Sequence, residues 1–211
     1  MSRIFIAINL SENIKEELGI FQKEIQDLFP SELNEIEIDE IATENIAQSR
    51  GVVRWVKKEN LHLTLVFIGH IKKNQFFQIA QIIKKVVQSQ KPLFLKFEKI
   101  CYGPAKIEPP RLIWMELEKE KELLKLVGNL QKELFAAGIL GKDDKREFSP
   151  HITLARINAW LWRQIEPEER PEIEKDIFLN FPIKSIEIME SKLKKGGPVY
   201  TILESYLLSN D

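Results

Sequence analysis

Apolar residues recur along the chain with two different periods, and these periods predict its secondary structure. Segments in which every second residue is apolar indicate strands, and segments with apolar residues three or four apart indicate amphipathic helices. Eight segments show the strand pattern: RIFIAINL (3–10), VVRWV (52–56), NLHLTLVFIG (60–69), PLFLKFEKICYG (92–103), RLIWMELE (111–118), PHITLAR (150–156), IKSIEIMESKL (183–193) and PVYTILESYLL (198–208). Three segments show the helical pattern: 14–28, 74–90 and 121–137.

The order of these elements predicts an α+β fold. Strands and helices follow one another as strand, helix, two strands, helix, two strands, helix, one strand and a terminal strand pair. This repetition indicates a bilobal, internally duplicated architecture of mostly antiparallel sheets with helices on the outer faces. The segment 52–56 and the strand after it are expected to form a β-hairpin, and Gly69 is expected to end that second strand. Residues 158–175 are expected to form a short helix and loop.

The chain is long enough to bury a substantial core, and residues 1–211 are expected to form one domain of two pseudo-symmetric lobes. Residues 31–50 are acidic and weakly patterned. This segment is predicted to be a loop insertion, and a solvated surface excursion is favoured over a substrate lid.

Two strand segments contain the same tetrapeptide pattern, His62-Leu63-Thr64-Leu65 and His151-Ile152-Thr153-Leu154. The chain has three histidines and four threonines, and two of each fall in these motifs. Because successive side chains of a strand point to opposite faces, each motif should present its histidine and threonine on one face. The apolar residues, with Phe67 among them, should face the core. Two such strands facing each other would form a pocket with two imidazoles and two hydroxyls.

This set of side chains suits acid–base chemistry on a small anionic group. An unperturbed imidazole titrates near neutral pH, so one histidine can act as a base while the other acts as an acid. The threonine hydroxyls can donate to phosphoryl oxygens. The alternative interpretation, two buried strand histidines with satisfied hydrogen bonds, leaves the duplicated threonines unexplained.

Composition narrows the class of protein. Apolar residues make up 44% and charged residues 30%, which is typical of a globular chain, and the net charge of −1 gives no global attraction to nucleic acid. The single cysteine, Cys101, excludes an internal disulfide and a cysteine-based metal site, and is expected to be a small buried apolar residue. Neither a signal peptide nor a membrane-spanning segment is evident, so a cytoplasmic protein without membrane contact is expected.

The chain resembles the 2H phosphoesterase superfamily, which is named for two such histidine motifs. More closely, it resembles the RNA 2′,3′-cyclic phosphodiesterases, also described as 2′-5′ RNA ligases. The resemblance rests on RIFIAINL, VRWVKKENLHLTLVFIG, FSPHITLAR and ESKLKKGGPVYTILESYLL, and it spans essentially the whole chain apart from 31–50. It implies a bilobal fold with the active-site cleft between the lobes.

The resemblance also implies an activity and roles for particular residues. The expected reaction is metal-independent hydrolysis of 2′,3′-cyclic phosphate ends of RNA to a 2′-phosphate, without a cofactor. His62 would be the general acid and His151 the general base, although the pseudo-symmetry makes these roles interchangeable from the residues alone. Thr64 and Thr153 would bind the phosphate. Arg156 matches an arginine of the family pattern, but it reaches the cleft only if the strand ends, twists or bulges after Leu154.

Other activities remain open. The chain could be an RNA 2′-5′ ligase, could cleave a cyclic nucleotide or a 2′-5′ oligoadenylate, or could be a non-catalytic module that binds a nucleotide end. Its expected partner is RNA or an oligonucleotide with a 2′,3′-cyclic phosphate, and the chain is expected to act as a monomer.

A few further residues could contact RNA. Phe5 and Trp55 are candidates for base stacking, although a core position is the favoured interpretation of each, and Tyr200 is a candidate for backbone contact. The basic candidates for backbone contact are Arg54, Lys57, Lys58, Lys194 and Lys195, for most of which a solvated charged face is the favoured interpretation. His70 is expected to be a solvated turn residue.

Overall fold

In the computed structural model, described for residues 2–29, 51–88, 90–141, 147–194 and 197–208, the chain forms ten strands and four α-helices. The strands are β1 (Ser2–Asn9), β2 (Val53–Trp55), β3 (His62–Ile71), β4 (Leu93–Gly103), β5 (Leu112–Leu117), β6 (His151–Ile157), β7 (Glu174–Asp176), β8 (Asn180–Ile183), β9 (Ser185–Lys194) and β10 (Gly197–Leu207). The helices are α1 (Glu12–Gln26), α2 (Lys73–Gln88), α3 (Lys121–Ala136) and the short α4 (Ala159–Trp162). The segment 31–50, predicted to be an insertion, lies outside the described residues.

The strands form an extended sheet in which every pair is antiparallel, in the order β10-β9-β1-β3-β6-β5-β4-β7. Strand β2 also pairs with β6, and β8 with β4. The buried faces of the three long helices and one face of the sheet contribute to a common apolar core. The predicted α+β class with mostly antiparallel strands is confirmed.

The two motif strands lie side by side at the centre of this sheet. A single residue pair, Leu63 with Ile152, joins β3 to β6. On one side of this junction lie β1, β9 and β10, and on the other lie β2, β5 and β4. The motif strands are therefore neighbours that diverge from one point, and they do not face each other across a gap as the sequence pattern suggested.

The predicted hairpin between β2 and the first motif strand is wrong. Strand β2 pairs with β6, with Val53 opposite Ile157 and Trp55 opposite Ala155. A 3₁₀ turn at Lys58–Asn60 separates β2 from β3, which leaves β2 free to cross to the other half of the sheet. Gln22 of α1 stabilises this crossing, because its side-chain amide donates to the carbonyl oxygens of Val56 and Leu154, each at 2.8 Å.

Two other strand boundaries differ from the predicted ones. Strand β3 continues past Gly69 to Ile71, because Gly69 adopts a φ of 90° that only a residue without a side chain adopts easily. The segment 158–175 contains the predicted short helix, but it also leads into β7, and the short β8 precedes β9. Within the part of the chain that the structure describes, none of the helices is both long and apolar enough to cross a bilayer.

Candidate active site

Both motif histidines line one cleft of about 800 Å³. The cleft wall includes eight of the side chains that the sequence singled out for catalysis or substrate contact: Phe5, Trp55, His62, Thr64, His151, Thr153, Arg156 and Tyr200. The described residues of the wall include no carboxylate, whereas four cations lie on it: Arg3, Arg54, Lys57 and Arg156. A protein with a net charge of −1 therefore has a locally positive cleft that is suited to anions.

A β-bulge in β6 brings Arg156 to the cleft. In the pairing with β5, Thr153 lies opposite Trp114 and Ala155 opposite Ile113, so Leu154 is the extra residue of the bulge. Leu154 and Ala155 are consequently both buried, and Arg156 is exposed on the same face as Thr153. In a regular strand Arg156 would point away from His151 and Thr153. The bulge at Leu154 turns it to their side, as the sequence pattern required for a role of Arg156 in the cleft.

The first motif strand has a bulge at the equivalent position. Ala7 of β1 lies opposite Thr64, and Ile6 lies opposite Val66, so Leu65 is the extra residue. The predicted core position of Phe67 is therefore wrong, because its side chain is 71% exposed and lines the cleft. Simple alternation fails at Phe67 because a bulge reverses the facing of every later residue.

The two bulges make Phe67 and Arg156 equivalent. Each lies five positions after a motif histidine, and each is turned to the cleft by one extra buried leucine. Each half of the site thus contributes an imidazole, a hydroxyl and a third side chain. The third side chain is aromatic in one half and cationic in the other, so the site is asymmetric beyond the shared motif.

Both imidazoles are held by the same local hydrogen bond. Nδ1 of His62 lies 2.6 Å from the carbonyl oxygen of Asn60, and Nδ1 of His151 lies 2.8 Å from the carbonyl oxygen of Ser149. Because a carbonyl oxygen only accepts, each Nδ1 carries a proton and donates it. Nε2 is then the titrating atom of each ring, and in His62 it lies 2.9 Å from the hydroxyl of Thr64.

Asn60 anchors the His62 half of the site to the neighbouring strands. Its backbone carbonyl fixes His62, and its buried side-chain amide donates to the carbonyl oxygen of Pro198 at 2.9 Å. The start of β10 is therefore held over the cleft, where the Tyr200 ring meets His62 edge-on at 5.0 Å between centroids. Phe5 packs against both rings, at 5.1 Å from each. Its side chain is only 3% exposed, so it supports His62 and offers little surface for stacking a base.

A buried tryptophan supports the other imidazole. The ring of Trp114 lies 4.4 Å from that of His151, and its Nε1 donates to the sulfur of Cys101 at 3.2 Å. Cys101 is half-buried and hydrogen-bonded, so the expectation of a simple buried apolar residue is wrong. On the neighbouring strand, Gly103 allows this packing, since a Cβ there would lie 2.4 Å from the Trp114 ring.

Burial lowers the pKa of both motif histidines below the ordinary value of about 6.5. In each ring the carbonyl that accepts from Nδ1 opposes this effect. The charge of Arg156 lowers both pKa values further, and that of Lys15 also acts on His62. Glu116, which lies opposite His151 on β5, acts in the other direction and favours the protonated form of His151.

The remaining candidates have different positions. Arg54 and Lys57 line the cleft, whereas Lys58 forms ion pairs with Glu12 and Glu16 at 3.4 and 3.1 Å. Lys194 is exposed on β9, and the prediction for Lys195 lies outside the described residues. His70 is exposed as expected, but it lies within β3 and not in a turn.

Four residues at the site were not predicted to lie there: Phe67, Arg3, Asn60 and Trp114. Phe67, Arg3 and Trp114 reach the site through bulges and long-range pairing that the sequence pattern does not reveal, whereas Asn60 acts on His62 through its own backbone carbonyl. Among the residues described, no group of three or more histidine, cysteine or acidic side chains is arranged to hold a metal ion.

Comparison with known proteins agrees with this geometry. The family model described as LigT like Phosphoesterase matches residues 36–114. The RNA 2′,3′-cyclic phosphodiesterase of Methanocaldococcus jannaschii is 26% identical over 97% of this chain and 99% of its own length. The protein of that name from Thermotoga maritima is 27% identical over 95% and 92%.

Solved structures show the same fold. Escherichia coli LigT, crystallised with 3′-AMP, superposes with a TM-score of 0.72 at 21% identity, over 99% of each chain. A protein of Thermus thermophilus gives a TM-score of 0.74 at 22% identity over 99% of each chain.

The fold is that of the solved LigT structures, and the cleft contains both histidine motifs. The family model contains the first motif only, since it ends before His151, but the relatives that match nearly end to end extend the similarity across the second motif. The chain is therefore similar to the LigT-like phosphoesterases over nearly its whole length.

Proposed function

We propose that this protein hydrolyses 2′,3′-cyclic phosphate ends of RNA to 2′-phosphates, with two histidines as acid and base and without a metal ion. The observation that carries the proposal is the matched pair of imidazoles, each with Nδ1 committed to a carbonyl oxygen and with Nε2 left to titrate in a cationic cleft. The names of the relatives from Methanocaldococcus jannaschii and Thermotoga maritima support the choice of substrate.

The reaction needs one proton removed and one supplied. Nε2 of the base accepts a proton from water, and the water oxygen attacks phosphorus in line with the bond to the ribose 3′ oxygen. That bond breaks, and Nε2 of the acid gives its proton to the 3′ oxygen. The products are a 3′-hydroxyl and a 2′-phosphate, and the two imidazoles have exchanged protonation states. A further proton exchange with solvent restores the starting state.

The remaining polar groups act on charge at the phosphoryl oxygens. The Thr64 and Thr153 hydroxyls can donate to the non-bridging oxygens, and Arg156 can add a bidentate contact. Because the second motif strand positions Thr153 and Arg156 on one face, a phosphate held there is also held against His151. This positioning reduces the entropy that the reaction must lose to align water, phosphorus and leaving group.

The family roles make His62 the acid and His151 the base. One feature favours the opposite assignment: the Glu116 carboxylate raises the pKa of His151, whereas the charge of Lys15 lowers that of His62. These two charges act in favour of a proton on His151 in the free enzyme. Bound substrate adds a negative charge between the rings and can redistribute that proton, so the roles are best separated kinetically.

The lowered pKa values predict the pH dependence of the reaction. The productive state has one proton on the pair, and both imidazoles lose their protons below the ordinary pKa of about 6.5. The profile of kcat/KM, which reports the free enzyme, should therefore be bell-shaped with its maximum below pH 6.5. The profile of kcat should be displaced to higher pH, because the bound phosphate anion stabilises an imidazolium. Initial rates from pH 4.5 to 9 test this, and a kcat/KM maximum above pH 7.5 would contradict it.

A turnover assay in EDTA tests the proposed function. A short RNA with a 2′,3′-cyclic end is incubated with the protein, and the position of the product phosphate is determined by ³¹P NMR. The expected product is a 2′-phosphate, formed at the same rate with and without chelator. Loss of activity in EDTA, or a 3′-phosphate product, would overturn the proposal. Including an RNA with a 5′-hydroxyl tests the ligase alternative, since joined strands that outcompete hydrolysis would favour it.

A further inference from the structure

The cleft continues beyond the groups that the proposed reaction uses. Arg3, His70 and Ser191 line its far end, and they form one row across three neighbouring strands. Arg3 of β1 is the register partner of His70 on β3 and of Ser191 on β9. We call these three residues the distal row. The reaction proposed above gives no role to a guanidinium, an imidazole and a hydroxyl at this position.

A second bulge in β3 places His70 in this row. Phe5 lies opposite Phe67, and Ile4 lies opposite Gly69, so Ile68 is the extra residue. The cleft face of β3 therefore carries His62, Thr64, Phe67 and His70, at irregular spacings that no regular strand could produce. Each bulge interrupts the ladder and restores a functional side chain to the cleft.

Polar and aromatic side chains alternate along the cleft face of β3. The imidazole and hydroxyl of the first motif come first, the exposed ring of Phe67 follows, and the distal row of donors comes last. Along β1, Arg3 lies four residues from Ala7, the partner of Thr64, which corresponds to about 13 Å of strand. An arginine side chain can cover about half of that distance, so its guanidinium can reach a phosphate one nucleotide away from the reacting phosphate.

Arg3 is available for such a contact. Its side chain is exposed, and it forms no ion pair with any residue in the described ranges. Arg54 also lines the cleft, but its position along the cleft differs from that of Arg3, because Arg54 is the register partner of Arg156. Arg54 therefore lies level with the reacting phosphate, and Arg3 lies beyond it.

We propose that the distal row is a second phosphate subsite, which binds the phosphate on the 5′ side of the cyclic-ended nucleotide while the nucleoside between the two phosphates lies over Phe67. The proposal rests on the proposed function, because it takes the cyclic phosphate at the motif histidines as its reference point. It assigns the enzyme a preference for oligonucleotide ends over mononucleotides. A guanidinium and two further donors match a phosphodiester, and an exposed aromatic ring matches an unpaired base.

Two substrates that differ by one group test this subsite. Adenosine 2′,3′-cyclic phosphate has no 5′ phosphate, and its 5′-phosphorylated form has one. The wild type should show a kcat/KM about ten- to a hundredfold higher for the phosphorylated form, the range expected of hydrogen bonds to charged groups. In Arg3→Gln the ratio of the two kcat/KM values should fall to near one.

Two matched variants separate the subsite from general electrostatics. Arg54→Gln removes a guanidinium from the same cleft, and Arg163→Gln removes an exposed one that does not line the cleft. Both should retain the wild-type ratio. An equal loss of the ratio in Arg54→Gln would overturn the subsite in favour of a diffuse positive field.

The outcomes also separate this inference from the proposed function. Hydrolysis of both substrates at equal kcat/KM would overturn the subsite and leave the proposed function intact. Hydrolysis of neither substrate, nor of a cyclic-ended RNA, would overturn the proposed function. Calorimetric binding of adenosine 2′-phosphate, with and without a 5′ phosphate, measures the subsite without turnover. Equal affinities in the wild type would likewise overturn the subsite.

Discussion

His62→Asn and His151→Asn are each expected to lower kcat for a cyclic-ended RNA by about a hundred- to ten-thousandfold, the range typical of a positioned acid or base. Asparagine is the informative replacement, because its amide can still donate to the carbonyl oxygen that each Nδ1 now contacts. The local fold is thereby retained, and only the titrating Nε2 is lost. Circular dichroism and thermal unfolding check that the variants remain folded. Full activity in either variant would exclude the two-histidine mechanism.

A change of leaving group then separates the roles of the two histidines. A 3′-deoxynucleoside 2′-(p-nitrophenyl phosphate) keeps phosphorus on the 2′ oxygen and releases nitrophenolate in place of the ribose 3′ oxygen. Nitrophenolate leaves without a proton, so this substrate needs the base and hardly needs the acid. With the family roles, His62→Asn should recover most of the wild-type rate on this substrate and His151→Asn should not. The reverse pattern would assign the acid to His151, in agreement with the influence of Glu116 on that imidazole.

Arg156→Ala is expected to lower kcat/KM by about a hundred- to a thousandfold, which is typical when a preorganised donor to transition-state charge is removed. Arg156→Lys should restore little of this loss, because an ammonium cannot reproduce the bidentate contact of a guanidinium. Steady-state kinetics on the same RNA measure both variants. Arg163→Ala is the matched control, since Arg163 is exposed just after α4 and does not line the cleft.

The contrary result for Arg156 is also clear. If Arg156→Ala changed kcat/KM by less than threefold, the bulge after Leu154 would place a surface arginine near the cleft without a role in binding phosphate. If Arg156→Lys were fully active, a simple positive charge would suffice, and the bidentate contact would be excluded.

Local pattern was sufficient to predict the elements and the motif residues. Period-two alternation located His62, Thr64, His151 and Thr153 on strands, and each structural strand presents its pair to one cleft. Helical periodicity located the three long helices to within a few residues. These features depend on side chains that are close in sequence, so the local pattern is enough to predict them.

The missed features depend on pairing between distant segments. The partner of β2 is β6, about a hundred residues away, and nothing in VVRWV distinguishes that partner from the neighbouring β3. The bulges are invisible for the same reason, since an extra residue is defined only against the opposite strand. The errors at Phe67 and His70 both follow from the bulges in β3. For the same reason, the position of Arg156 in the cleft could be predicted only on the assumption that its strand is irregular after Leu154.

The paired bulges separate each half of the site into a fixed part and a replaceable part. Each half of the site is a module with a histidine and a threonine from the motif. The bulge after the threonine turns a third residue to the cleft, and this residue does not take part in positioning the other two. That third position is phenylalanine in one module and arginine in the other, on the same scaffold. The third residue of either module can therefore be replaced without a change in the strand register that positions the motif histidine and threonine.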